Sequence, residues 1–432
     1  AARICKQVEH WFGDAHWVTD PILQDAYVDN DGLVPVSVML TYPRLRRLAA
    51  TVDDVVSAVQ GSPVVRPVRL PSGAWGLKRI SADMPPTTLA VRPRPHGSPS
   101  GPAPPTTTIM SFNILADRFS KSTFFPFAAP VALDWHCRRE LLAAEIAAHR
   151  PAVACLQEVQ SLHGDDNGGF DDAGGHHVAW FNTLFRDMGY AGAYVRKIGG
   201  GGKEYRRGSP NLGNCVFYDT RVFEAAGEPV RLSLVDEATK LFPQHRSTWG
   251  QYTQVAIAVP LLHLPSRQPV VVVSTHLSSA WRDQHIQLCQ AVALVHGAHR
   301  AAAGCPNVVI CGDFNASPSS AVLEYIRWGK IPAGHRVFKF AEDARFDLPL
   351  MPPSPLLFQS AHEAVLGEVP YTIFNPSFAG VCDYVMVSTS GTMAPVAALD
   401  VPSATTLSAE VGVPSSYCGS DHLAMVAGVD FM

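Results

Sequence analysis

From residue 108 onward the chain alternates short apolar runs with amphipathic stretches, and this alternation most constrains its fold. Helices are predicted at about 138–149, 283–300 and 319–328, between runs that predict buried strands. Many strands with interspersed helices are typical of a layered α/β domain in which one sheet packs on another. The apolar runs are TIMSFNIL, VACLQEV, NCVFYD, YTQVAIAVPL, VVVVSTHL, VVICGDF, VCDYVMVS and LAMVAGVDF.

One run leads into the segment VVICGDFNASPSS, Val308 to Ser320, where a carboxylate and a carboxamide lie two residues apart. In an extended backbone, positions i and i+2 point to the same side. Asp313 and Asn315 are therefore predicted to face one site at the end of a buried strand. Together with STHL upstream and SDH near the C-terminus, this segment predicts metal-assisted cleavage of a phosphate ester.

Polar side chains recur where the predicted strands end, which indicates that they share one site. Divalent cations such as Mg²⁺ or Mn²⁺ prefer oxygen ligands. Glu158 is the best metal-ligand candidate, because its carboxylate ends an apolar run. A lone aspartate after a strand is more often a turn or a helix cap, so the prediction depends on the ordered set. The predicted site residues are Asn113, Glu158, His276, Asp313, Asn315, Asp383, Asp421 and His422.

Hydrolysis of a phosphodiester also needs a base that activates water and donors that neutralise the developing charge. Asp313 is the predicted base, and the two asparagines and His276 are predicted to position the water and the phosphate oxygens. Asp383 is predicted to orient the imidazole of His422, as a carboxylate orients a catalytic histidine elsewhere.

The motifs SFNILAD, CLQEV, THL, CGDFNASPSSAVLEYI and SDH resemble the endonuclease/exonuclease/phosphatase superfamily. They are most similar to its subgroup of carbon-catabolite-repressor-type deadenylases, nocturnin and angel proteins. The resemblance covers residues 108–432 and implies a four-layer α/β sandwich, with two packed mixed sheets flanked by helices. It also implies Mg²⁺-dependent phosphoesterase chemistry, with Glu158 as the metal ligand, Asp313 as the base and Asp421 beside the metal and the nucleophile.

Two departures from that subgroup bear on its substrate preference. The deadenylases carry an acidic residue before a strand glycine in the pattern D-G-C-A, whereas Leu212 precedes Gly213 in this chain. The stretch KIGGGGKEYRRGSPNLGN is glycine-rich and basic, and Lys203, Arg206 and Arg207 are predicted to contact phosphates. A solvated loop without an RNA contact is the alternative interpretation of this stretch.

The first 80 residues resemble the La motif, a winged-helix RNA-binding module, through ICKQVEHWFGD, TDPIL, DGLVPVSVML, YPRLRRL and VVSAV. The resemblance implies a small α+β domain with a pocket that stacks the last nucleotides of uridine-ended RNA and reads the terminal ribose hydroxyls. That family usually has tyrosine where His10 stands and phenylalanine where Ile22 stands. In the alternative interpretation, Trp11 and Tyr42 are core residues of a winged helix that binds a protein or has no ligand. The implied pocket residues are Gln7, His10, Trp11, Asp20, Ile22 and Tyr42.

A stretch rich in proline, serine and threonine separates the two regions. It predicts three segments: a winged-helix domain at 1–80, an extended polyproline-like linker at 81–107 and a catalytic domain at 108–432. A segment that wraps around a domain is the alternative interpretation of the linker.

Composition limits the partners and the compartment. The net charge of −4 indicates no broad basic surface, so RNA binding must depend on local patches and on stacking. Nine cysteines without a C-x-x-C pair predict free thiols in a reducing compartment, the cytoplasm or the nucleus, with import into an organelle left open. No apolar run is long enough to predict a membrane helix, and the first residues lack a signal-peptide layout.

The leading hypothesis is therefore a Mg²⁺-dependent 3′-to-5′ exoribonuclease whose N-terminal module recruits single-stranded RNA by its 3′ end. A 2′-phosphodiesterase or a nucleotide or dinucleotide phosphatase is the alternative within the same fold. A non-catalytic RNA-binding protein with a decayed nuclease fold is the third hypothesis.

Overall fold

The computed structural model describes residues 2–12, 26, 33–42, 45, 48, 50–70, 73–79, 89–91, 107–161, 176–197, 211–249, 252–279, 282–332, 334–402, 404, 407 and 411–432. Internal contacts divide the chain into two compact units. The first comprises Ala1–Pro86, Asp117–Ala147 and Ala404–Asp421, and the second comprises Thr87–Ala116, Ala148–Ser403 and His422–Met432.

Short helices and a small sheet make up the first unit. Its elements are α1 (Ala2–Phe12), β1 (Val34–Pro35), α2 (Val36–Met39), α3 (Val52–Ala58), β2 (Val65–Arg69), β3 (Trp75–Arg79), α4 (Pro130–Leu133) and α5 (Trp135–His149). The sheet is antiparallel, with the strand order β1-β3-β2. The elements of this unit include a helix at the start of the chain, a helix at Val52–Ala58 and a hairpin formed by β2 and β3. The winged helix itself stays a prediction, because residues 13–25 and 27–32 lie outside the described residues.

The first unit includes more of the chain than the 80 residues that the sequence assigns to it. Val131 in α4 and Cys137 in α5 belong to the same buried apolar cluster as Val8, Val34 and Leu77. Apolar side chains far along the sequence therefore complete this small core, since a short segment alone buries little surface. The boundaries at residues 80 and 107 stay a prediction.

Two seven-stranded sheets make up the second unit. The first sheet has the order β10-β11-β12-β13-β17-β14, with β9 paired to β11, and the second has the order β4-β18-β19-β5-β6-β8-β7. Its strands are β4 (Leu89–Val91), β5 (Thr107–Asn113), β6 (Val153–Ser161), β7 (Tyr190–Arg196), β8 (Asn211–Asp219), β9 (Phe223–Ala225), β10 (Val230–Ser233), β11 (Val255–His263), β12 (Gln268–His276), β13 (Val308–Asp313), β14 (Phe358–Ser360), β17 (Asp383–Ser388), β18 (Met393–Leu399) and β19 (Met425–Phe431).

One strand lies inside the predicted linker. The backbone of β4 pairs antiparallel with β18 at residues 89–91, the linker's proline-free Leu-Ala-Val stretch. This part of the linker is a sheet edge rather than a polyproline-like spacer, because only residues with a free N–H can complete a strand ladder.

Helices and a second hairpin complete the unit. They are α6 (His176–Asp187), α7 (Leu234–Leu241), a 3₁₀ turn (Pro243–His245), α8 (Arg246–Trp249), α9 (Gln284–Ala302), α10 (Ala321–Trp328), α11 (Val337–Asp343), α12 (Ala361–Leu366), β15 (Ile373–Asn375) and β16 (Phe378–Gly380). Glycine at the C-terminal ends of α10 and α12 adopts the left-handed conformation that closes a helix.

Alternating side chains sort the strands into layers. In β13, Val309 and Cys311 join the apolar cluster between the two sheets, whereas Val308 and Ile310 join the cluster beneath α7, α9 and α10. On the outer face of the second sheet, α6 packs against β6 and β7. The layers are therefore helix, sheet, sheet and helix, and the predicted four-layer α/β sandwich is confirmed.

All nine cysteines are free thiols, and seven of them are buried. Among the described residues, no helix combines the length and the hydropathy that crossing a membrane requires.

Candidate active site

The ends of strands from both sheets converge on one buried cluster. Asn113 ends β5, and His276 and Asp313 end the parallel pair β12 and β13, where they are directly opposite each other. Asp383 begins β17, which runs antiparallel to β13, and it lies opposite Asp313. The sequence predicts this convergence, because polar residues at the carboxyl ends of neighbouring parallel strands share an edge.

Glu158 reaches the cluster through a bulge in β6. Pairing with β8 shifts register between Leu156 and Val159, and Glu158 has a φ of 61°. A left-handed backbone at a non-glycine residue costs on the order of 1–3 kcal/mol and persists only where the surroundings impose it. The bulge turns the carboxylate towards the site. There Oε1 accepts a hydrogen bond from Asn113 Nδ2 at 3.2 Å, and Oε2 accepts one from the Ala116 N–H at 2.9 Å.

Asp313 is at the centre of the cluster. Its Oδ2 accepts a hydrogen bond from Asn113 Nδ2 at 3.0 Å and lies 3.5 Å from His276 Nε2 and 3.7 Å from His422 Nε2. Its Oδ1 accepts the Asn315 N–H at 2.9 Å. The carboxylate therefore faces two imidazoles and one amide in a site that excludes most water.

Burial, and then the neighbouring Asp383 carboxylate, raise the pKa of Asp313 to about 7. Contacts with His422 and hydrogen bonds from the two asparagines oppose this increase. A carboxylate with a pKa near neutrality is suited to accept a proton in a reaction at physiological pH.

His422 and Asp383 form a buried pair. The Nδ1 atom of His422 lies 2.7 Å from Asp383 Oδ2, which places Nε2 towards Asp313 and 3.4 Å from Asn113 Nδ2. With Nδ1–H donating to the carboxylate, the ring is held in one orientation. The sequence predicts this pairing, although 39 residues separate its members.

Lys197 is a further residue near the site, and it is not among the residues that the sequence predicts. It immediately follows β7, and its side chain is buried close enough to His276 to affect the imidazole. Burial, then the positive charges of Lys197 and His422, lower the pKa of His276 well below its ordinary value, so this imidazole is neutral at pH 7. The position of a lysine at a strand end was the available signal.

Asn315 and Asp313 do not lie on one extended strand, so the prediction that their side chains face the same way for that reason is wrong. The strand ends at Asp313, and a φ of 49° at Asn315 turns the chain. The Asn315 amide instead donates to the Leu277 carbonyl at 3.2 Å, which joins the loop after His276 to the loop after Asp313.

A buried glutamine in α9 joins the same two loops and was also missed. Nε2 of Gln287 donates to the carbonyls of Ser278, at 2.6 Å, and of Asn315, at 3.1 Å. One turn later, Oε1 of Gln290 accepts the Ser278 N–H at 3.0 Å. Two glutamines three residues apart in a mostly buried helix were the signal.

Comparisons with known proteins agree with this geometry. Residues 110–422 match the endonuclease/exonuclease/phosphatase family. The chain belongs to this family of hydrolytic enzymes. Human 2′,5′-phosphodiesterase 12 is 27% identical over 329 residues, which cover 73% of this chain and 50% of the relative. The CCR4-Not complex 3′-5′-exoribonuclease subunit Ccr4 of Saccharomyces cerevisiae is 25% identical over 347 residues, covering 76% of this chain and 39% of the relative.

Solved structures with the same fold include two members of the predicted subgroup. ANGEL2, described as a 2′,3′-cyclic phosphatase, superposes with a TM-score of 0.57 at 20% identity, over 75% of this chain and 94% of that protein. The human nocturnin catalytic domain superposes with a TM-score of 0.50 at 22% identity, over 76% of this chain and 95% of that domain. The chain thus spans nearly all of these structures but half or less of the curated relatives' length.

The family typically depends on a divalent metal ion, and the cluster fits one. Ligand atoms of Asp313, Asp383 and His422 lie within 4.8 Å of one another. Oδ1 of Asp383 is buried without a hydrogen-bond partner among the described residues. Glu158, the predicted ligand, lies outside this triplet but shares the Asn113 amide with Asp313. Close buried carboxylates are donors that Mg²⁺ prefers.

The remaining predicted residues fall elsewhere. Asp421 belongs to the first unit, directly before His422 in the chain, and its role at the site stays a prediction. The basic loop residues Lys203, Arg206 and Arg207 lie outside the described residues.

The predicted RNA pocket is described in part. Asp20 and Ile22 lie outside the described residues. His10 is exposed on α1, Gln7 is half-buried, and the rings of Trp11 and Tyr42 lie 4.6 Å apart. Only 4% of Trp11 is exposed, and it packs in the core of the first unit, as the alternative interpretation predicts.

Proposed function

We propose that this protein is a Mg²⁺-dependent 3′-to-5′ exoribonuclease of the deadenylase type. The observation that carries the proposal is the buried arrangement of Asp313 between the His422–Asp383 pair, His276 and the Asn113 amide. Similarity to Ccr4, which is named as a 3′-5′ exoribonuclease, supports an RNA substrate. The fold shared with nocturnin and ANGEL2 is compatible with this activity.

The chain's own residues divide the chemistry among them. Asp313, with its pKa near 7, accepts the proton of the attacking water. Asn113 and the neutral His276 hold the water and a phosphate oxygen in line with the scissile bond. A protonated His422 donates a hydrogen bond through Nε2 to the phosphate as charge develops, while Asp383 stabilises the imidazolium. The water oxygen bonds to phosphorus as the P–O bond to the 3′ oxygen of the preceding nucleotide breaks, and that oxygen takes a proton from solvent.

Glu158, with Asp313 and Asn113 beside it, is the proposed holder of the metal ion. A divalent ion bound there would neutralise the phosphate and polarise its oxygens. Lys197 adds a second positive charge at the same edge of the sheet, and we propose that it contacts a phosphate of the substrate.

We further propose that the N-terminal unit recruits RNA through the exposed His10 and the half-buried Gln7 and Tyr42. A La-like pocket that holds a uridine-ended 3′ terminus also shields that terminus from hydrolysis. The unit and the active site then engage one 3′ end alternately, or the unit holds an internal stretch of the strand.

A 2′,5′-phosphodiesterase or a nucleotide phosphatase is the second candidate, and two observations favour it. Human 2′,5′-phosphodiesterase 12 is among the relatives that cover most of this chain. Leu212, which is buried in β8, occupies the position where the deadenylase pattern has an acidic residue. A buried leucine cannot accept the hydrogen bonds that a carboxylate offers to a base or a ribose.

Digestion of matched oligonucleotides tests both candidates. The substrates are 5′-labelled oligo(A), oligo(U) and mixed 3′,5′-linked RNA, together with 2′,5′-linked oligoadenylate, each with Mg²⁺, with Mn²⁺ and with EDTA. A metal-dependent ladder on 3′,5′-linked RNA, lost in Asp313→Ala, supports the exoribonuclease. Cleavage of the 2′,5′-linked substrate alone supports the second candidate, and no cleavage of any substrate contradicts both.

A further inference from the structure

Thr372 is a fully buried residue between the active site and the β15–β16 hairpin. It directly precedes β15, and its N–H donates to the Gly380 carbonyl at 2.8 Å, which closes the hairpin. Neither the family resemblance nor the chemistry described above uses this side chain. Its hydrogen bonds, however, reach the backbone at both members of the His422–Asp383 pair.

On one side, Thr372 holds the start of β17. Its hydroxyl oxygen accepts the N–H of Cys382 at 2.9 Å and the N–H of Asp383 at 3.2 Å. Just before this strand begins, the Cys382 carbonyl accepts the Phe314 N–H at 2.7 Å, which holds one side of the chain. The threonine hydroxyl holds the other side, because it satisfies two backbone N–H groups at the point where the strand starts.

On the other side, Thr372 holds the segment that carries His422. Its carbonyl accepts the Leu423 N–H at 2.8 Å, and the next residue, Ile373, forms an isolated antiparallel bridge with His422. One residue thus joins two segments that are 39 positions apart in the chain and whose side chains meet at 2.7 Å.

We propose that Thr372 is a positioning residue that sets the separation and orientation of the His422–Asp383 pair. This inference depends on the proposed phosphodiesterase function, because it assigns Thr372 a role through that pair. Catalytic side chains act efficiently only when neighbouring groups hold them within about 0.5 Å of the productive geometry. Both hydrogen bonds to the hydroxyl oxygen are lost in valine, which has nearly the same shape, and serine retains them.

The experiment compares Thr372→Val with Thr372→Ser in the full chain, on whichever phosphodiester the wild type cleaves. We expect Thr372→Val to lower kcat by about 10- to 100-fold with KM within about twofold, since a misplaced supporting residue typically costs this much. Thr372→Ser should stay within about threefold of wild type. Thr239→Val in α7, whose hydroxyl donates to the Val235 carbonyl at 2.8 Å, is the matched control and should leave kcat unchanged.

A second arm separates positioning from a general loss of structure. If Thr372 acts through the pair, Thr372→Val should have less than a twofold effect on the residual activity of His422→Ala. An equal loss in both backgrounds, a normal kcat in Thr372→Val or a failure of serine to restore kcat would overturn the proposal. If Thr372→Val does not fold, Thr372→Cys replaces it, with the same expectation, because a thiol is a weaker acceptor of similar size.

Absence of activity in the wild type would contradict the proposed function and not the role of Thr372. In that case the proton NMR signal of the hydrogen-bonded His422 Nδ1–H is the readout. We expect it to shift or broaden in Thr372→Val and to remain in Thr372→Ser. An unchanged signal in Thr372→Val would overturn the proposal independently of catalysis.

Discussion

The active-site cluster and the predicted RNA pocket hold their polar side chains in opposite ways. In the cluster, Asp313 and Asp383 are at most 2% exposed, and each has hydrogen-bonding or charged neighbours at fixed distances. In the predicted pocket, His10 on α1 is exposed to solvent, and Tyr42, which follows α2, is half-buried. Proton transfer requires groups held before the substrate arrives, since misplacement directly raises the barrier. A recruiting surface can order as the RNA binds, because stacking tolerates several geometries.

The largest expected effect comes from the centre of the cluster. Asp313→Asn should lower kcat by about 10²- to 10⁴-fold, because the base is removed while the shape is retained. The same change should also alter how the free energy of unfolding depends on pH when it is measured in EDTA.

The sign of this pH dependence follows from the raised pKa. Between pH 4 and 7 the carboxyl of Asp313 stays protonated in the folded state and ionises in the unfolded state, so wild-type stability should fall as pH rises. The expected slope is roughly 1 kcal/mol per pH unit. Denaturant unfolding across this range measures it. A slope in Asp313→Asn equal to that of wild type would contradict the assignment.

The next effect tests whether the cluster depends on its supporting helix. Gln287→Leu should lower kcat by about 10- to 100-fold, because it releases the carbonyls of Ser278 and Asn315 that fix His276 relative to Asp313. Gln284→Leu makes the same substitution at the start of the same helix and is the control. Equal kcat values for the two variants would show that α9 does not position the site.

A smaller effect is expected on the recruiting surface. His10→Ala should weaken binding of a long uridine-ended RNA by about 1 kcal/mol, or roughly fivefold in Kd, with kcat on a dinucleotide substrate unchanged. Fluorescence anisotropy on a catalytically inactive background measures the affinity. Lys6→Ala, a neighbouring exposed change on α1, is the control for loss of charge. A lower kcat on the dinucleotide would show that the two regions are not separate.

The smallest effect concerns the stability of the first unit alone. Thr51 and Asp54 form a capping box at the start of α3, with the Thr51 hydroxyl accepting the Asp54 N–H and the Asp54 carboxylate accepting the Thr51 N–H. Thr51→Ala should cost about 1 kcal/mol of stability. Hydrogen exchange should detect it in the amides of α3, with kcat unaltered. If Thr51→Ala made hydrogen exchange faster in the amides of β13 instead, the two units would not unfold independently.

The sequence predicts features that depend on neighbouring residues or on the ends of strongly apolar runs. The layered sheets follow from the alternating pattern, and the polar ends of β5, β12 and β13 follow from strand direction. The pairing of His422 with Asp383 followed from chemistry, since a carboxylate commonly orients an imidazole. The Asn315 prediction failed because the extended-strand rule was applied one residue beyond the point where the strand ends.

The sequence by itself determined the class of fold, the family and the acidic, amide and imidazole groups of the site, because these depend on residue type and local periodicity. Only the tertiary structure decided how those groups are held. The hydrogen bonds of Gln287 and Thr372 join segments that are far apart in the chain. The bulge at Glu158 and the burial of Lys197 likewise depend on how the strands pair and pack. Such contacts depend on the register between strands and on burial, which no short stretch of sequence encodes alone.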